Sequence, residues 1–231
     1  MNELEIQIQK YFDEIKNIWE ELELENRIIP FCTPLKLNPK FLVIGLNHSA
    51  FSRNVEEANQ IAKEFSENIP KVNTYVEHHH SFAKGLRAVI EKVHNKFNDF
   101  DKKPSDEWVG TNRIAIQTGS EGADYVMNQD KYQQCQKKMD KVLLSLISYI
   151  KPRNIILAGN DACDGFYYPS SKEPGSKKQP MQKKELKKVI LDKDTQETTN
   201  IIPLWHFSRN YFNAKNTERL EDAIKEGFCA Y

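Results

Sequence analysis

Phe41-Leu42-Val43-Ile44-Gly45-Leu46-Asn47 decides the fold of this chain. Four apolar residues run without interruption and stop at a glycine. Such a short continuous run suits a strand covered on both faces, as in a buried parallel sheet. Working outward, three more stretches read as strands: Trp108 to Ile116, Asn154 to Gly159, and Ile201-Ile202-Pro203-Leu204-Trp205, which runs into His206. Apolar residues at helical spacing predict helices over 3–25, 54–67, 82–97, 130–150 and 216–228, with Lys151-Pro152 stopping the fourth. Pro30, Pro34 and Pro39 punctuate an irregular connection before the first strand. Alternating strands and helices imply a three-layer α/β/α domain spanning 1–231, with a central, mainly parallel four-stranded sheet. A lysine-rich segment, 169–188, reads as an insertion.

Composition narrows the function classes. Lys plus Arg and Asp plus Glu are equal at 33 each, so the chain lacks the basic excess of a protein that wraps nucleic acid widely. A small basic cleft on a neutral protein stays open. No apolar run approaches the roughly 20 residues a membrane helix needs, and no membrane partner is expected. The acidic opening Met1-Asn2-Glu3-Leu4-Glu5 lacks an apolar signal region. Cys32, Cys135, Cys163 and Cys229 form no CxxC pair, which fits reduced thiols in a cytoplasmic protein. His78-His79-His80 has no ligand-spaced partner, so no metal site is expected.

In open α/β sheets ligands bind beyond the carboxyl ends of the strands. Polar clusters fall at three such ends: Asn47-His48-Ser49, Asn160-Asp161, and His206 with Ser208-Arg209-Asn210. Asn112 sits within the remaining strand region.

These residues also carry a resemblance. Gly45-Leu46-Asn47 after an apolar strand resembles the Gly-x-Asn that opens the first motif of the uracil-DNA glycosylase superfamily, in its mismatch-specific and single-strand-selective branches. His48 and Ser49 replace that motif's Pro and Gly. His206-Phe207-Ser208-Arg209-Asn210 resembles the second motif, His-Pro-Ser-Pro-Arg-Asn, with one residue deleted and both prolines missing. Thr111-Asn112, Lys151-Pro152 and Ile155 to Gly159 are similar in order and spacing to segments of the iron–sulfur branch. The four Cys ligands which that branch needs for its cluster are not matched, so no cofactor is expected.

The resemblance implies a monomeric DNA glycosylase that flips a base out of DNA and hydrolyses its N-glycosidic bond. Asn47 would position the water, since an amide cannot take its proton as a carboxylate can. His206 would donate a hydrogen bond to the base oxygen where charge develops. Asn112 would read a base edge through donor and acceptor together, and Phe51 would stack on the base. Gly45 and Leu46 would line the base pocket. Ser49, Ser208, Arg209, Asn210, Lys183 and Lys184 would meet the DNA backbone.

Each residue has a plainer reading. Asn47 and Asn112 would close strand-end turns, His206 would be satisfied in the core beside Trp205, and Phe51 would pack. The lysines would belong to a solvated loop. Two alternatives to uracil excision follow. One is a glycosylase for a modified pyrimidine in foreign, phage-type DNA, with His48-Ser49 and Phe207 reshaping the pocket. The other is a non-catalytic nucleic-acid-binding protein that retains the fold.

Overall fold

The structure is a computed structural model. It describes residues 3–24, 29, 31–46, 48–49, 73–77, 81–105, 107–115, 117–118, 129–168, 180–192, 194–208 and 210–229, with backbone only at 48, 49, 117, 118, 129, 183 and 210. Among these the chain forms α1 (Glu3–Glu21), β1 (Phe41–Gly45), β2 (His48–Ser49), α2 (Thr74–Glu77), α3 (Ser81–His94), β3 (Trp108–Asn112) and β4 (Gln117–Thr118). There follow α4 (Gln129–Ile150), β5 (Asn154–Ala158), α5 (Asn160–Cys163), β6 (Lys187–Asp192), β7 (Glu197–Leu204) and α6 (Asn213–Lys225). The helix expected over 54–67 lies outside the described residues.

The main sheet has the order β3-β1-β5-β7-β6. The first four strands are parallel and β6 runs antiparallel to β7. The sheet thus has five strands rather than the expected four. The extra one lies partly inside the lysine-rich segment, where Lys187 and Lys188 precede Val189-Ile190-Leu191. Lysine on an open edge strand discourages pairing with other chains, and it also hides the strand from a composition-based reading. Pairing with β6 lengthens β7 backward to Glu197. Within the expected Trp108–Ile116 strand region the strand is β3, Trp108–Asn112; β4 lies beyond it at Gln117–Thr118 and pairs with β2 in a separate two-stranded sheet.

Alternation along the strands builds two cores. Leu42, Ile44, Ile155, Leu157 and Ile201 pack against α1 and α4 on one face. Phe41, Val43, Ile156, Ala158, Ile202 and Leu204 pack against α3 and α6 on the other. All of β1 and β5 is buried, as their continuous apolar runs require. Phe41 stacks on Trp108 with centroids 4.1 Å apart. These helices make the three layers.

The connection from β1 to β3 carries α3 on one face, and that from β3 to β5 carries α4 on the other. Strand order therefore reverses between β1 and β5, the place where open α/β sheets leave a crevice at their carboxyl ends. Gly45, Ala158 and Leu204 end their strands on this edge. Among the described residues, no helix is long and apolar enough to cross a membrane.

Candidate active site at the carboxyl edge of the sheet

The turn after β7 is gripped from two sides. Asn216 of α6 is fully buried and accepts the Trp205 backbone N–H at 2.8 Å through Oδ1. Its Nδ2 donates to the Trp205 carbonyl at 3.0 Å. One amide thereby satisfies both backbone groups just beyond the end of the strand. From the other side comes α3. Phe207 is fully buried, and a Cβ built on Gly85 would meet the Phe207 carbonyl oxygen at 2.0 Å. Only glycine lets helix and turn approach so closely. Phe207 thus belongs to the core and does not reshape a pocket.

This grip places His206, half-buried, on the carboxyl edge. Its ring meets the edge of Phe82 at 5.2 Å. It also lies against Gly159, which follows β5: a Cβ there would sit 3.5 Å from the His206 Cβ. Gly159 has φ 103° and ψ 160°, a conformation essentially reserved for glycine.

Ser208 sets the state of the imidazole. Its Oγ lies 2.6 Å from His206 Nδ1, and its backbone N–H donates to the same nitrogen at 3.4 Å. The backbone amide can only donate. With Nδ1 accepting this N–H, a neutral ring carries its proton on Nε2. Ser208 then acts inside the site, as the orienter of His206.

Asn112 ends β3 beside Gly45, and a Cβ on that glycine would lie 3.3 Å from Asn112 Oδ1. Its Nδ2 donates to the Ile29 carbonyl at 3.2 Å and toward Cys32 Sγ at 3.7 Å. The two amide hydrogens therefore hold Ile29 and Cys32, whose backbone N–H groups also donate to the carbonyls of Ala115 and Gly110. Base reading by donor and acceptor together does not fit this arrangement. Burial pushes the Cys32 thiol up to about 12, which disfavours its thiolate form.

Lys184 departs furthest from expectation. It is fully buried and pairs with Asp164 at 2.5 Å, with its ammonium 5.3 Å from the centre of the Tyr168 ring. It cannot touch a DNA backbone. The side chain of Lys183 is outside the described residues, as are those of Ser49 and Asn210, and all of Asn47, Phe51 and Arg209.

Arg113 is the large feature that the sequence reading missed. It is 1% exposed and bidentate on Asp140 of α4, at 2.7 and 2.6 Å. Its Nη1 donates to the carbonyls of Asp161 and Asp164 at 2.8 and 2.6 Å. It thereby fixes α5, which starts just after Gly159. These partners lie far apart in sequence, and an Arg beside an Asn carries no local sign of burial. Among the described residues, no group of His, Cys, Asp and Glu could hold a metal ion.

No protein-family model matches the chain, and no curated protein sequence is significantly similar to it.

Proposed function

We propose that this protein is a monofunctional DNA glycosylase, similar in fold to the uracil-DNA glycosylase superfamily, that removes uracil or a related damaged pyrimidine. One observation carries the reading: His206 stands at the carboxyl edge of the sheet with its Nδ1 contacted by both the hydroxyl and the backbone N–H of Ser208. The parallel layered sheet is consistent with the fold that the two motifs imply, and β1 ends at Gly45 on the same edge as His206.

The chemistry follows from what a leaving base needs. The C1′–N bond breaks and its electron pair goes to the base, whose exocyclic carbonyl oxygen gains negative charge. Nε2–H of a neutral imidazole donates a hydrogen bond there without transferring its proton. Water adds to C1′ of the sugar and loses a proton to solvent, leaving an abasic site. Asn47 holds that water in this scheme, and its amide orients the nucleophile without deprotonating it. The scheme suits bases that leave readily.

The test is incubation with oligonucleotides carrying uracil, thymine mismatches, deaminated purines or phage-type modified pyrimidines, followed by alkali. Wild type should produce alkali-labile sites on at least one substrate, and Asn47→Ala and His206→Ala should slow their formation. Absence of such sites on every substrate, or an undiminished rate in both variants, would overturn the reading.

A further inference from the structure

The start of α3 reaches the carboxyl edge of the sheet beside His206. Phe82, the second residue of that helix, is half-buried there. Its ring centroid lies 5.2 Å from that of His206, with the two planes at 74°. It lies 5.2 Å from Phe207, at 76°, and 5.8 Å from Tyr75, at 28°. Phe82 therefore stacks on one ring and meets two others edge-on, one of them the imidazole.

Both apolar neighbours of Phe82 are themselves fixed. Tyr75 is 3% exposed, and its hydroxyl presses on β3 so closely that a Cβ on Gly110 would fall 2.3 Å from it. The Tyr75 backbone N–H donates to Asn73 Oδ1 at 3.0 Å, and its carbonyl accepts from Arg87 Nη1 of α3 at 2.6 Å. Phe207 is fully buried with its carbonyl against Gly85. Packing this close leaves a ring braced on both residues little room to retreat.

His206 needs such a constraint. The ring torsion of a histidine is broad and roughly two-fold. Ser208 engages a single ring atom, Nδ1, and contact at one atom leaves the plane free to tilt about it. Gly159, which also lies against His206, has no side chain to limit that tilt. The tilt matters, because a hydrogen bond weakens steeply once donor, hydrogen and acceptor leave a line.

We infer that Phe82 is a positioning residue for His206: braced by Tyr75 and Phe207, its ring fixes the tilt of the imidazole and so the direction in which Nε2–H points. The inference rests on reading His206 as the hydrogen-bond donor of the site. Phe82 has no group that donates, accepts or carries charge, so its part in the chemistry runs through His206. Ser208 sets which nitrogen holds the proton, and Phe82 sets where that proton is aimed.

The experiment observes the imidazole without any substrate. The full chain is made with isotope-labelled histidine, and the ring nitrogens are observed by NMR at about pH 8, where an ordinary imidazole is neutral. His206→Ala identifies the His206 signals among those of the six histidines. Wild type should show one bare and one protonated ring nitrogen at well-separated shifts. Phe82→Leu keeps apolar bulk but removes the flat ring. It should draw the two signals together, as tilting loosens Nδ1 from Ser208 and the tautomers exchange. Phe82→Tyr keeps the ring and should restore the wild-type spectrum. Val89→Ala opens the same core farther along α3, and should lower stability while leaving the His206 signals in place. Where a substrate is excised, Phe82→Leu should slow the single-turnover rate roughly two- to tenfold, the worth of one aromatic pair, with substrate affinity unchanged. Unmoved His206 signals in Phe82→Leu, or equal movement in Phe82→Tyr or Val89→Ala, would overturn the inference. Signals that depend on Phe82 with no base excision on any substrate would remove only the glycosylase reading. Excision with signals indifferent to Phe82 would remove only this one.

Discussion

At the scale of single residues, the site depends on which nitrogen of His206 carries the proton. The Ser208 amide and hydroxyl converge on Nδ1, so a neutral ring carries its hydrogen on Nε2. Ser208→Ala removes the shorter of these two contacts and keeps the backbone one. Under the proposed glycosylase reading, the loss of a hydrogen bond worth about 1 kcal/mol should slow base release roughly fivefold. His206→Ala removes the donor itself and should cost roughly a hundred- to a thousandfold, the range for deleting one oxyanion donor. Single-turnover excision rates measure both. A Ser208→Ala enzyme as slow as His206→Ala would mean that the hydroxyl has a direct role rather than an orienting one.

At the scale of elements, the turn bearing His206 is positioned by the helices on either side. The α3 contact is the tighter, since Gly85 leaves no room for even a methyl group against the Phe207 carbonyl. Gly85→Ala should therefore destabilise the protein by about 1–3 kcal/mol through overpacking, although alanine favours helix. Denaturant unfolding would reveal it, and a stabilised variant would show that α3 moves freely against the turn. The link between α5 and the start of β6 is electrostatic. Lys184 is fully buried on Asp164, whose side chain is 10% exposed. Lys184→Met leaves that carboxylate without its partner and should cost about 3–5 kcal/mol. Adding Asp164→Leu should restore much of the loss, because the penalty lies in the unpaired charge and not in the missing bridge. No recovery in the double variant would show that Lys184 has another structural task.

At the scale of the whole molecule, the two cores enclose several thiols. Burial pushes Cys135, Cys163 and Cys229 from an ordinary value of 9.0 up to about 12. Each folded-state value is thus raised above the unfolded one. Between about pH 8.5 and 12 the unfolded chain loses these protons while the folded chain keeps them. Their contribution is complete below about pH 8.5 and is lost as pH rises toward 12. Unfolding free energy measured from pH 7 to 10.5 or so should fall across the upper half of that range. Replacing the three cysteines by alanine should flatten the decline. A decline of the same slope in that triple variant would place its origin in other groups.

How much of this could be read in advance differs by feature. Strands β1 and β5 and the second half of β7 were legible because each is a continuous apolar run that ends up buried, and neighbouring residues alone produce that signal. The edge strand β6 was not, because its lysines and its exposed Ile190 look like a loop until β7 is beside it. His206 was legible as a polar group at a strand end, whereas Asn47 lies outside the described residues. Asn216, Gly85 and Arg113 were not, since each acts through atoms distant in sequence. Ser208 was legible as a site residue but assigned to DNA, whereas its contact is with His206 two positions away.

The amino-acid sequence by itself determined the α/β class, the parallel core and the edge of the sheet on which the polar clusters gather. These follow from hydrophobic burial and from side-chain periodicity, both local along the chain. Only the tertiary structure decided which polar groups serve the site and which serve the fold. Lys184 and the Asn112 amide hydrogens went to the fold, and Ser208 went to the imidazole. The physical reason is that a polar side chain acts according to the partner it meets once water is excluded. That partner is set by packing across the whole chain.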